Sequence, residues 1–274
     1  MAKFSNIIIV TDIDGTFLGK GGRLVPRNME AVEYFKANGG SFTVATGREF
    51  YLIYPNIPNI ADIVNVPIIA CNGSYIYDLS ADKTVCEEFL YDETAYRILT
   101  EANRRFTDIG IRISTDGKVI VEHEFDRIKS CFSRFDGRYI EMPFEKVPRG
   151  RWHKIVFEGA VERIAEVRMF LEESDNEHFE YVLAWADTLE IQPKLGTKGA
   201  MLGRLKEIIG KKEAKLFAAG DYENDEIMLR AADFPVVPAN GLQLLRDIKG
   251  SINVGHHDKG AIADLIELIE AKYI

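Results

Sequence analysis

The sequence predicts an α/β protein: a doubly wound parallel sheet interrupted by an inserted α+β segment. Three observations carry this. Short β-branched runs alternate with helical stretches over roughly the first eighty residues. The same alternation returns over roughly the last eighty. Between them the pattern changes to hairpins and helices without the β-α-β rhythm.

The first strand is residues 7–11 (IIIVT), short, β-branched and closed at once by a turn signal. Residues 27–38 (RNMEAVEYFKAN) place Met29, Val32 and Phe35 on one helical face, with Ala31 and Tyr34 between them, and Gly39-Gly40 ends the helix. Residues 41–46 (SFTVAT) and 67–71 (PIIAC) read as the next two strands, giving β-α-β-α-β. In the middle, residues 92–107 put Ala95, Ile98, Leu99, Ala102 and Phe106 on one face. IRIST and VIVEHEF flank Asp116-Gly117, a hairpin signal. WHKIVFEG reads as a strand, VERIAEVRMFLEE as a helix, and FEYVLAWA with TLEIQP as two further strands. The closing region repeats the opening theme: a helix over 196–210, a strand over 215–220, a helix over 224–232, a strand over 234–238, a helix over 241–248, a strand over 252–254 and an amphipathic last helix. The expected division is therefore residues 1–82 with 187–274 as one discontinuous core, and 83–186 as the insertion.

Composition bounds the function. The 274 residues carry a net charge of −9, which disfavours nucleic acid and anionic membranes as partners. A small anionic substrate stays compatible, because a local field can oppose the net charge. The three cysteines, Cys71, Cys86 and Cys131, show no C-x-x-C spacing and read as reduced thiols. No run reaches the length of a membrane span and no signal segment stands out, so the expected location is the cytoplasm.

Open parallel sheets bind ligands beyond the carboxyl ends of their strands. Asp12-Ile13-Asp14-Gly15-Thr16 follows the first strand, Thr46-Gly47-Arg48 the second, Asn72-Gly73 the third, and Asp221, Glu223, Asn224 and Asp225 follow KLFAAG. Each cluster alone reads as a turn. Four at four strand ends do not. Lys198 adds to them: in the first turn of a helix the dipole disfavours a cation by ~0.3–1 kcal/mol, unless it reaches an anion. An EF-hand fails, because its sixth and twelfth positions would be Phe17 and Arg23. GxxxxGK[ST] is absent, and no GxGxxG follows the first strand, which excludes a P-loop and argues against a Rossmann dinucleotide site.

As a set these residues resemble the haloacid dehalogenase-like superfamily of phosphohydrolases. Its D-x-D-G-T motif is met by Asp12 to Thr16, and its Thr/Ser motif by Thr46. Leu189–Pro193 through Thr197-Lys198-Gly199 is similar to the third motif, and Gly220–Asp225 to the fourth. The insertion between the second and third motifs resembles the Cof-type (IIB) subfamily, as do Thr46-Gly47-Arg48, Asn72-Gly73 and Asp258-Lys259-Gly260. Leu195-Gly196 and PVVPAN (235–240) depart from commoner family patterns without removing a catalytic side chain.

The resemblance implies a magnesium-dependent phosphomonoesterase with an inserted cap that selects the substrate, a small phosphorylated metabolite such as a sugar phosphate. It implies Asp12 as nucleophile and Asp14 as general acid and base. Thr46, Lys198 and Asn224 would hold the phosphoryl group, and Gly47, Arg48 and Asn72 the substrate. Asp12, the backbone carbonyl of Asp14, Asp221 and Asp225 would hold Mg²⁺. The expected state is a monomer or weak homo-oligomer. A sugar phosphomutase, or a non-catalytic phospholigand-binding module, stays open beside it.

Other residues read as structural. His256-His257 suggests a metal pair, but adjacent side chains on an extended loop diverge. His123, His153 and His178 are scattered. Phe179, Tyr181 and Trp185 alternate as a sheet face. Gly19-Lys20-Gly21-Gly22 reads as a mobile loop beside the site.

Overall fold

The computed structural model describes residues 2–122, 138–175 and 177–274. His123 and Cys131, with the expected continuation of the hairpin strand past Glu122, lie outside the described residues. The chain divides into two units, one running to Glu87 and again from Thr197 to Ile274, the other Glu88–Gly196.

The first unit is built on five parallel strands: β1 (Ile7–Thr11), β2 (Ser41–Val44), β12 (Lys215–Ala219), β13 (Phe234–Pro238) and β14 (Ile252–Val254). Their order is β14-β13-β12-β1-β2, which places β1 at the centre beside β12. Every residue of β1 is buried, as an apolar strand covered on both faces must be. Ile7 and Ile9 pack with Phe42, Phe217, Val32 of helix α1 (Pro26–Ala37) and Ile262, Leu265 and Ile269 of helix α8 (Ala261–Lys272), which follows the short α7 (Gln243–Arg246). Ile8 and Val10 point the other way, to Met201, Leu202 and Leu205 of α5 (Lys198–Ile208) and Met228 of α6 (Glu226–Ala231). The sheet is doubly wound, as the alternation predicts.

Two features depart from the expectation. Only a 3₁₀ turn (Phe50–Leu52) and a single α-helical turn, α2 (Ile60–Ile63), lie between β2 and β3 (Ile68–Ala70). Pro55 and Pro58 break any longer helix there. β3 meets the strand-2 segment through a single parallel bridge, Ala45 to Ile69, and then starts an antiparallel sheet with β4 (Tyr75–Asp78) and β5 (Lys83–Glu87). Lys83–Glu87 thus belongs to the first unit, because its backbone pairs with β4.

The second unit is a six-stranded sheet, ordered β10-β11-β9-β6-β7-β8, with β6 (Gly110–Thr115), β7 (Lys118–Val121), β8 (Tyr139–Glu141), β9 (Trp152–Glu158), β10 (Phe179–Trp185) and β11 (Thr188–Pro193). Asp116 and Gly117 both have positive φ, 44° and 69°, which the predicted hairpin turn requires. β11 pairs with β9 and β10, so the division falls after Gly196 rather than after Ala186. Helices α3 (Asp92–Arg105) and α4 (Val161–Ser174) lay Ile98, Leu99, Val167 and Leu171 on Ile113, Ile155, Phe157 and Ile191. The alternate sheet positions are charged and paired: Lys154 to Glu190 at 2.9 Å, Arg112 to Glu158 at 2.7 Å. A register shift between Leu183 and Trp185 breaks the aromatic alternation of β10, leaving Phe179 buried and Trp185 exposed.

Candidate active site

Each strand of the first unit delivers its polar residues where its backbone pairing ends. The Asp12 amide still donates to Ala219 of β12. The chain then coils: the amides of Phe17 and Leu18 donate to the carbonyls of Asp12 and Ile13. Asp12 and Asp14 therefore do not lie on one extended face, as a two-residue spacing on a strand would have it. Each carboxylate faces its own cation.

Asp12, 6% exposed, accepts from Lys198 Nζ at 2.7 Å. The same ammonium donates to Asp225 Oδ1 at 2.7 Å. Lys198 is 1% exposed and so has turned inward from the start of α5. Thr197 caps that helix by accepting from the Ala200 amide. Gly73, with φ +104°, abuts the Thr197–Lys198 backbone so closely that a Cβ would overlap it. Asp225 Oδ2 accepts from the amides of Asp221 and Tyr222, folding that loop over its own carboxylate. Asp221 Oδ1 accepts from Thr16 Oγ1 at 2.7 Å. A Cβ on Gly15 would collide with the Asp221 carboxylate, and the φ of +85° is itself a glycine conformation.

The electrostatics follow. Burial, reinforced by Asp225, Asp221 and Asp14, raises Asp12 well above the usual carboxylate range against the pull of Lys198. Burial and Asp225 push Asp221 up to about 7. Burial opposes the charged form of Lys198, but Asp12 and Asp225 outweigh it, and the ammonium is held. Asp12 and Asp225 share one internal cation, and Asp221 stands beside them without a bond to it. One ligand atom each from Asp12, Asp221 and Asp225 lies within 4.8 Å of the others, an oxygen-only donor set that suits a hard divalent cation.

Asp14 is gripped in fork geometry by Arg48, Nε to Oδ2 at 2.8 Å and Nη2 to Oδ1 at 2.6 Å. Nη1 of Arg48 is itself fixed by Asn56 Oδ1 at 2.6 Å and the Leu52 carbonyl at 3.1 Å. Thr46, buried, accepts from the Arg48 amide at 3.1 Å and keeps its hydroxyl proton to donate. Asn72 is buried, and Asn224 Nδ2 approaches its Oδ1 at 3.4 Å. A Cβ on Gly47 would stand 2.9 Å from that same Asn72 oxygen. Cys71, Asn72 and Gly73 are three consecutive positive-φ residues. Buried Glu49 steadies this turn, accepting from Cys71 Sγ and, at 2.7 Å, from Tyr75 OH. Burial and Glu49 raise the Tyr75 hydroxyl, which stays a donor.

All ten sequence-derived candidates thus lie in the first unit, on the loops that follow its strands or at the start of α5. The sequence reading missed Asn56 and Asn240, and set His257 aside as structural. Asn240 Nδ2 donates to the Gly15 carbonyl at 2.8 Å and its Oδ1 accepts from the His257 amide. The strand-end rule, applied to β13, would have found Asn240. Asn56 has no sequence signal. The Gly19–Gly22 loop is tied down, its Lys20 amide donating to Asp258 Oδ1.

The chain matches the family model described as haloacid dehalogenase-like hydrolase over residues 9–266. A pyridoxal phosphate phosphatase of Escherichia coli is 26% identical, covering 94% of this chain and 97% of its own. A 5-amino-6-(5-phospho-D-ribitylamino)uracil phosphatase of Bacillus subtilis is 23% identical over 97% and 99%. Among solved structures, a subclass IIB sugar phosphatase superposes with a TM-score of 0.81 at 18% identity, covering 96% and 98%. Among the described residues no helix is long and apolar enough to cross a membrane.

Proposed function

The chain belongs to the haloacid dehalogenase-like hydrolases, and from that premise we propose that it is a phosphatase of small phosphorylated metabolites, a sugar phosphate foremost, working through an aspartyl-phosphate. The observation that carries the reading is the convergence of Asp12, Asp221 and Asp225, two of them bound to buried Lys198, with Asp14 held separately by Arg48.

Asp12 is the nucleophile. Its oxygen forms the bond to phosphorus as the bond to the leaving oxygen breaks. Asp14 gives that oxygen a proton, then takes one from the water that attacks the aspartyl-phosphate and frees inorganic phosphate and Asp12. Lys198 and Thr46 present donors to the phosphoryl oxygens, and Asn224 and Asn72 face the same space. Asp12, the Asp14 carbonyl and Asp221 would hold Mg²⁺, with Asp225 supporting the Asp221 loop. When bound, the ion supplies charge neutralisation for the carboxylates and the phosphoryl group. The named activities of the relatives, on pyridoxal phosphate and on a phosphoribityl metabolite, support a small phosphorylated substrate.

The test is phosphate release from a panel of sugar phosphates and phosphopeptides, with Mg²⁺ and with chelator. Release from the small esters that stops in chelator is expected. Undiminished release in chelator, or turnover of phosphopeptides alone, would overturn the reading. Stability offers a second arm. Asp221 moves from an ordinary 3.8 to about 7, so its contribution is complete below pH 3.8 and lost as pH rises through 7. Above that, the ionised carboxylates repel one another until a cation enters. A fixed Mg²⁺ concentration of ~100 times the Kd at pH 8 should add about 2.7 kcal/mol at that pH, and less at pH 5, where protonation of Asp221 weakens binding. The resulting shift in melting temperature should be larger at pH 8 than at pH 5, read by differential scanning fluorimetry.

Arg48 and Asn56 yield a sharper prediction. Asn56→Ala releases the far side of the guanidinium and loosens Asp14. kcat/KM on an alkyl phosphate, whose leaving oxygen needs a proton, should then fall roughly tenfold further than on p-nitrophenyl phosphate. Equal losses on both esters would mean that Asn56 serves folding alone.

A further inference from the structure

His256 and His257 do not diverge. The chain tightens into a 3₁₀ turn over His257–Lys259, closed by Gly260 at φ 94°, and the two imidazole centroids stand 4.6 Å apart. Asp258 joins them: one ligand atom from each of the three residues lies within 4.8 Å of the other two. Tetrahedral ligands at metal distances near 2.1 Å sit about 3.4 Å apart, so modest side-chain rotation closes the set.

The hydrogen bonds leave the right atoms for a metal. His257 Nδ1 lies 2.6 Å from the Leu18 carbonyl, which only accepts, so Nδ1 carries the proton and Nε2 keeps its lone pair. An imidazole anchored to a carbonyl through one nitrogen, with the other nitrogen open, is the usual arrangement of a metal-binding histidine. His256 Nδ1 stands 3.7 Å from Asp258 Oδ2 and is held only by a long contact from the Asp258 amide at 3.3 Å, which a metal would replace. The other Asp258 oxygen is taken by the Lys20 amide. One nitrogen from each imidazole and a carboxylate oxygen thus stand within 4.8 Å of one another.

We propose that His256, His257 and Asp258 form a second cation site, for a borderline transition metal such as Zn²⁺ or Cu²⁺. Imidazole nitrogen selects these ions, whereas the oxygen-only Asp12 cluster suits Mg²⁺. The site is coupled to the D-x-D-G-T loop. His257 holds Leu18 through its ring and Asn240 through its amide; Asn240 holds the Gly15 carbonyl; Asp258 holds Lys20. A cation there would fix the segment from Gly15 to Lys20 beside Asp14. The proposal stands independently of the phosphatase reading.

The experiment uses the full chain in excess Mg²⁺. One equivalent of Cu²⁺ should give an electron paramagnetic resonance spectrum with superhyperfine coupling from two nitrogens, which the Asp12 cluster cannot supply. His256→Gln should leave coupling from one nitrogen and weaken Zn²⁺ binding, measured calorimetrically, at least about tenfold. Asp12→Asn and His178→Gln should leave both readings unchanged. His178 is the control because it pairs with Asp175 elsewhere in the chain. Oxygen-only coupling, a spectrum indifferent to His256→Gln, or one lost in His178→Gln would overturn the proposal.

Discussion

Asp12→Asn should lower kcat on a small phosphomonoester by on the order of 10⁴-fold or more, the scale on which removal of a nucleophile acts in a concerted site. The same variant should fold at least as well as the wild type when metal is absent. Asp12 is 6% exposed, and burial with three neighbouring carboxylates already disfavours its charge. Asparagine removes that charge while Lys198 keeps its bond to Asp225. Activity and stability thus move in different directions, which separates loss of the nucleophile from loss of the fold. The measurements are steady-state phosphate release and urea denaturation in chelator. Residual turnover within tenfold of wild type would remove Asp12 from the nucleophile role. A large drop in stability would mean that the Asp12–Lys198 pair is structural first.

The fold was legible where periodicity was strong. β1 could be read because four apolar residues run into Thr11-Asp12, and α8 because its apolar face repeats every third or fourth residue. The break between β2 and β3 was harder, since two prolines and three asparagines over 55–65 suppress a helix without announcing what replaces it. The boundaries of the inserted unit slipped for a different reason. Lys83–Glu87 and Thr188–Pro193 are both plain strands in sequence, and only their partners, β4 and β9, decide which sheet owns them.

The candidate site was legible because the chemistry sits at strand ends. What sequence could not give was the pairing. Asp12 and Asp14 are two residues apart, yet the coil after Asp12 sends one to Lys198 and the other to Arg48. Nothing in the residues 50–59 marks Asn56 as the anchor of that arginine. His256-His257 failed for a related reason: the divergence argument assumes extended backbone, and the 3₁₀ turn removes the assumption.

Lys198→Met should cost about 3–5 kcal/mol of stability and remove activity together. The lysine is 1% exposed and bonded on two sides, so its loss leaves Asp12 and Asp225 buried without a counter-charge. Arginine offers no rescue, because a larger guanidinium has no room at a position so enclosed. The cost can be traced by a second substitution. In Lys198→Met with Asp225→Asn, the new amide oxygen can still accept from the Asp221 and Tyr222 amides, while the charge that faced the ammonium is gone. The double variant should therefore recover a substantial part of the lost stability, a coupling that a double-mutant cycle measures directly. Activity should stay lost in both, since neither can present an ammonium to a phosphoryl oxygen. Equal stability of Lys198→Met and wild type would show that the buried cluster carries no net strain. Activity returning in the double variant would show that Lys198 serves only to neutralise Asp225.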